Sequence, residues 1–165
     1  FRTRADGRAG PGAQSGGCLM LVFIALDRAD LPTWANGRPL SSRPGFAVTT
    51  AMVDAFGFDS PTEETAEYTA LNICGLAGLL QGGSRLVAVA DAEAEETNSE
   101  FGEVRVKAVG YSAVRSLFAP AASDPDLTGM TLAEAWDDAA VQEAIVDNPL
   151  LWYAPSEWNT LSPPA

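Results

Sequence analysis

Met20-Leu21-Val22-Phe23-Ile24-Ala25-Leu26 is an apolar run of strand length in which no polar residue takes the alternate positions. Such a strand is covered on both faces, the pattern typical of parallel or mixed sheets packed between helices. Arg85 to Ala90 reads the same way, and a helical pattern lies between the two. The expected class is therefore α/β: one compact domain over residues 20–162, with a mixed, largely parallel sheet of about five strands flanked by helices.

Outward from that run, Ala29 to Asn36 reads as a short helical segment and Gly37 to Gly45, with its prolines, serines and glycines, as a loop. Phe46 to Thr49 reads as a short strand, and a brief helix capped by Thr49 or Thr50 follows through Phe56. Ser60-Pro61-Thr62-Glu63 has the form of a capping box with proline at the first helical position. With Gly82 and Gly83 as the stop, it predicts a central helix of about twenty residues. No charge falls between Tyr68 and Gln81, so its second half is expected to be buried nearly all round.

Beyond the Arg85 strand, Asp91 to Glu100 reads as a charged, exposed connection. Phe101 to Val109 alternates as a strand, with a neighbour at Val114 to Ala119 across a turn at Gly110. These two form an expected antiparallel edge. Thr131-Leu132-Ala133-Glu134 is a second capping box, opening a helix with Leu132, Ala135, Trp136, Ala139 and Val146 on one side. Glu143 interrupts that stripe. Asn148-Pro149 ends the helix, and Leu150 to Ala154 is the last strand. Residues 1–19, rich in Gly, Arg, Ala and Ser, are expected to form a disordered tail.

Composition removes several function classes. The formal net charge is −12, and outside the first nineteen residues, which hold Arg2, Arg4, Arg8 and Asp6, seven basic residues face 21 acids. That field repels phosphate backbones and anionic membrane surfaces, so neither nucleic acid nor membrane is an expected partner. A protein partner with a basic surface is the expected one. The chain has no histidine, which rules out Ser-His-Asp, Cys-His and His-based zinc sites. Cys18 and Cys74 are too far apart in sequence to suggest a disulfide framework or a metal knuckle, which fits a reducing cytoplasm. No cofactor motif is present, and no apolar stretch is long enough to span a bilayer as a helix.

The segments MLVFIAL, GFAVTTAM, AEYTALNICGLAGLL, RLVAVADA and LLWYAPSEW, in that order between Met20 and Leu161, resemble an uncharacterised actinobacterial domain-of-unknown-function family. The resemblance implies a small single-domain bacterial protein. It carries no activity and no site residues.

Six residues stand out as candidate binding residues. Asp27 follows the first strand and Asp91 the Arg85 strand, so in a parallel sheet both would stand at the carboxyl edge, where ligands of open α/β sheets bind. Two such carboxylates could serve a small, Mg-assisted enzyme or a ligand site. Asp91, Glu93 and Glu95 mimic the start of a calcium loop, but Glu96 stands where its glycine is needed and Gly102 where its bidentate glutamate is needed. Tyr68 and Asn72 lie one turn apart on the central helix and could line a pocket. Trp152 and Tyr153 point to opposite faces of the last strand, one suited to the core and the other to an exposed anchor. The leading expectation is a non-catalytic cytoplasmic interaction or regulatory domain, with the carboxylate enzyme or small-ligand protein as its rival.

Overall fold

The computed structural model describes residues 17–162. Most of the expected tail therefore lies outside the described residues, while Cys18 and Leu19 already belong to the first strand. The elements run β1 (Cys18–Ala25), α1 (Asp30–Ala35), β2 (Arg43–Phe46), α2 (Thr50–Phe56), α3 (Glu64–Leu80), β3 (Val87–Glu96), β4 (Glu103–Val106), β5 (Val114–Pro120), α4 (Leu132–Asp137), α5 (Ala139–Asp147), β6 (Leu150–Tyr153) and α6 (Trp158–Leu161).

The sheet is antiparallel throughout, which corrects the expected, largely parallel arrangement. Six strands lie in the order β1-β2-β4-β3-β5-β6, and β1 also pairs with β3, so β1, β2, β4 and β3 close into a four-strand barrel. The continuous apolar runs are correct evidence for burial and wrong evidence for direction. Val22 and Ile24 of β1 face the barrel core, while Phe23 joins the cluster beneath α3. An antiparallel strand covered on both faces carries the same pattern as a parallel one.

The barrel explains the alanines of β3. Ala88, Ala90, Ala92 and Ala94 all point inward, against Val22 and Ile24 of β1 and Val104 and Val106 of β4. Barrel diameter grows with strand number, so a four-strand ring is narrow and has room only for small side chains at its most crowded wall. Gly45 of β2 meets the same constraint. A Cβ there would stand 2.6 Å from Val106 Cγ2 and 3.0 Å from the Phe23 carbonyl oxygen.

Other expectations change for local reasons. The Asp91–Glu100 connection is in fact the outer half of β3 as far as Glu96, with Ala92 and Ala94 inside and Glu93 exposed. The apparent calcium-loop spacing of Asp91, Glu93 and Glu95 is the two-residue period of a strand. β5 does not pair with β4. Both lie along one edge of β3, β4 beside Ala94–Glu96 and β5 beside Val87–Ala90. The Ser60 box is displaced too: Glu63 accepts from Asp59 N–H at 3.1 Å, Ser60 Oγ accepts from Thr62 N–H at 3.2 Å, and α3 starts only at Glu64.

The Thr131–Glu134 box forms in full, with bonds of 2.8 and 3.1 Å. The helix it opens breaks at Asp138, whose carboxylate caps a new helix through the N–H groups of Ala140 and Val141. That break resets the phase, which accounts for Glu143: in α5 the buried positions are Val141 and Ile145, while Glu143 and Val146 face solvent.

Helices cover both faces of the sheet. On the barrel side, α1 and α6 pack together, and Trp34 is buried with its indole N–H donating to the Val109 carbonyl at 2.9 Å. On the other side α3 lies on β1, β2 and β3, and α4 packs against its outer surface. Leu71 to Leu76 are consequently all buried. No helix among the described residues is long and apolar enough to cross a membrane.

Candidate functional site: an acidic-rimmed groove beneath α3

The second half of α3 is enclosed, whereas its first half stands over an open groove. Leu21 of β1, Val89 of β3, Phe118 of β5 and Leu150 of β6 form the floor of a cavity of about 290 Å³. Tyr68, Glu64 and Glu67 of α3 line its rim. A second cavity of about 310 Å³ shares Leu21, Phe23 and Glu67 and continues toward Cys18, Val48 and Glu96. The result is an apolar trough with carboxylates along one side.

The sheet register adds a second aromatic residue. Trp152 of β6 pairs directly with Phe118, so the two share the α3 face of the sheet. Tyr68 is 60% and Trp152 61% exposed. Tyr153 pairs with Leu117 and turns to the opposite face, against the barrel core. β6 pairs with β5 alone among the described strands, and its four residues carry no charge. Edge strands normally carry a charge, a proline or a bulge that discourages further pairing, and β6 has none of them.

The remaining candidates do not converge there. Asn72 is buried and donates its side-chain amide to the Tyr68 carbonyl at 3.0 Å, so it serves its own helix. Asp27 and Asp91 do not share an edge, because β1 and β3 run antiparallel. Leu26 N–H donates to the Leu86 carbonyl, whereas Asp91 pairs with Leu21, six residues back along β1 from Asp27. That spacing corresponds to about 20 Å of strand. Asp91 instead forms an ion pair with Arg115 at 2.6 Å on the surface, and Asp27 lies beside Asp30, whose carboxylate accepts its N–H at 3.0 Å. No group of three or more ligating side chains among the described residues could hold a metal ion.

Sequence reasoning missed the groove floor. Phe118 and Leu150 read there simply as members of apolar strands, and only the register shows that they meet under Tyr68. It also missed the buried Arg85–Asp124 pair, because Asp124 lies in a loop 39 residues further along the chain and nothing local marks it as the partner of Arg85.

The two thiols differ in environment. Cys74 of α3 is fully buried, which pushes its thiol far above the usual range, and Cys18 is exposed at the far end of the trough. An alkylating reagent is expected to modify one thiol in the native protein and both in urea. Mass spectrometry of the two products checks this; rapid double labelling without denaturant contradicts the placement of Cys74.

No curated protein and no solved structure matches this chain. A family of unknown function (DUF6912) matches over residues 20–161, from the third residue of β1 to the last of α6, and the chain belongs to that family.

Proposed function

We propose that the chain is a non-catalytic protein-interaction domain, and that the trough beneath α3 receives an extended segment bearing apolar anchors and basic residues. The observation that carries this reading is the presence of two exposed aromatic side chains on one side of the sheet, Tyr68 on the rim of the open apolar floor and Trp152 on the edge strand beside Phe118 of that floor. Large aromatic residues are the commonest energetic anchors of protein interfaces. Glu64, Glu67 and Glu96 along the trough select for positive charge, and the uncharged edge of β6 offers backbone groups to an added strand. The carboxylate-enzyme reading has no comparable support, since its two aspartates stand apart. Two free cysteines are compatible with a reducing cytoplasm as the setting.

The test is a titration of the 15N-labelled chain with two synthetic peptides, one alternating lysine with leucine and one alternating glutamate with leucine. The lysine peptide is expected to shift the Trp152 indole and the Tyr68 region, with binding that weakens on raising salt. Trp152→Ala and Tyr68→Ala are each expected to reduce its affinity at least about tenfold. Equal binding of both peptides, or shifts that map away from α3 and β6, overturns the proposal.

A further inference from the structure

The trough beneath α3 has a candidate occupant within the chain itself. β1 opens at Cys18, and Cys18 lines the far end of the trough together with Met20, Val48 and Glu96. The chain that precedes β1 therefore enters the fold at the mouth of the groove. Residues 1–16, which lie outside the described residues, read Phe-Arg-Thr-Arg-Ala-Asp-Gly-Arg followed by a stretch rich in glycine.

Charge sets that segment apart from the rest of the chain. It holds Arg2, Arg4 and Arg8 against Asp6 alone, whereas the remainder holds seven basic residues and 21 acids. Glu64, Glu67 and Glu96 line the trough, and no lysine or arginine among the described residues lines either of its two cavities. These carboxylates stand beside an apolar floor, where attraction for a cation is screened less than on an open surface. In an extended chain Arg2 and Arg4 fall on one side, about 7 Å apart. Glu64 and Glu67 lie three residues apart on α3, a spacing of about 5–6 Å between Cβ atoms. Phe1 adds an aromatic anchor beside the two cations.

The length suffices. Residues 9–17, between Arg8 and Cys18, can span up to about 30 Å. The run of β1 from Cys18 to Phe23 covers only about 17 Å, and Phe23 lines both cavities. Gly10, Gly12 and Gly16 permit the reversal that returns the segment over the sheet.

We propose that residues 1–16 seat in this trough as an intramolecular competitor, with Arg2 and Arg4 against Glu64 and Glu67 and Phe1 on the apolar floor. The inference rests on the interaction reading of the trough and names the ligand that holds it when no partner is bound. A tethered segment is present at an effective concentration on the order of millimolar, so weak contacts suffice to occupy the groove. An incoming partner must displace it, and the partner's apparent affinity falls with the fraction of chains whose trough is open.

The experiment labels the full chain. With Cys18→Ser, a nitroxide carried by Ala5→Cys is expected to broaden the signals of Glu64, Glu67, Tyr68 and the Trp152 indole, and to do so equally after dilution. Raising salt is expected to weaken the broadening. Replacing Arg2, Arg4 and Arg8 together with glutamate is expected to abolish it, and to raise the affinity for the lysine–leucine peptide at least about threefold. Broadening that is absent, or spread evenly over the surface around Cys18, overturns the proposal, as does measurable but equal peptide affinity in the parent and the triple variant. Broadening that fades on dilution assigns the trough to a second copy and also overturns it. In each of these cases peptide binding at Tyr68 and Trp152 leaves the interaction reading standing. A trough that broadens as expected but takes no peptide in either protein counts against that reading alone.

Discussion

Replacing Asp124 with alanine is expected to destabilise the protein by about 3–5 kcal/mol, because it strands a buried cation. Arg85 is 1% exposed, and its Nε and Nη2 lie 2.9 and 2.7 Å from Asp124 Oδ1. Nη2 also donates to the Asn148 carbonyl, and the Asn148 side chain bonds to Asp124 and to both backbone groups of Ala122. This network ties the start of β3 and the end of α5 to the 122–124 loop. It is also incomplete, since Arg85 Nη1 and Asp124 Oδ2 are buried without protein partners. Apolar replacement of both residues, Arg85→Met with Asp124→Leu, is therefore expected to cost much less than the single change. Urea midpoints of the three variants decide the matter. A loss below about 1 kcal/mol for Asp124→Ala contradicts the account, given the cost of an uncompensated buried charge.

Gly102→Ala is expected to cost about 3 kcal/mol or more, combining backbone strain with overpacking. Gly102 has φ of +82°, and a Cβ there would stand 2.2 Å from the Ala47 carbonyl oxygen and 3.1 Å from Met52 Sδ. Its own carbonyl accepts from Ala47 N–H at 2.9 Å, so the clash cannot be relieved without parting the chain just beyond β2 from the chain just before β4. Those two strands close the barrel. Gly129→Ala is the control: φ there is +92°, with nothing within 4 Å of the added atom. It is expected to show only the conformational cost, about 1–2 kcal/mol. Equal losses at the two positions contradict the steric argument.

Parts of the candidate site are legible in the amino-acid sequence. Tyr68 and Trp152 stand out as aromatic residues on a helix and on a strand with an exposed face, and the fold places both beside one trough. Their convergence is not legible, because it depends on the β5–β6 register and on where α3 sits across the sheet. Asp27 and Asp91 show the opposite outcome. Each follows or extends an apolar run, and the pairing suggested for them depends on a strand direction that the runs do not encode. The short β2 strand is not legible either, because it lies in a stretch rich in proline, glycine and serine and is apparent only from its pairing with β4.

Local rules determined the parts of this protein in which neighbours along the chain are also partners in space. The Thr131–Glu134 cap closes within four residues, the burial of α3 from Leu71 to Leu76 follows from its lack of charge, and Val104 and Val106 face inward by simple alternation. The antiparallel direction of the strands, the closure of β1, β2, β4 and β3, and the trough beneath the first half of α3 were decided by tertiary structure. Apolar patterning reports how far a strand is covered, whereas direction and register are set by pairings between segments distant in sequence.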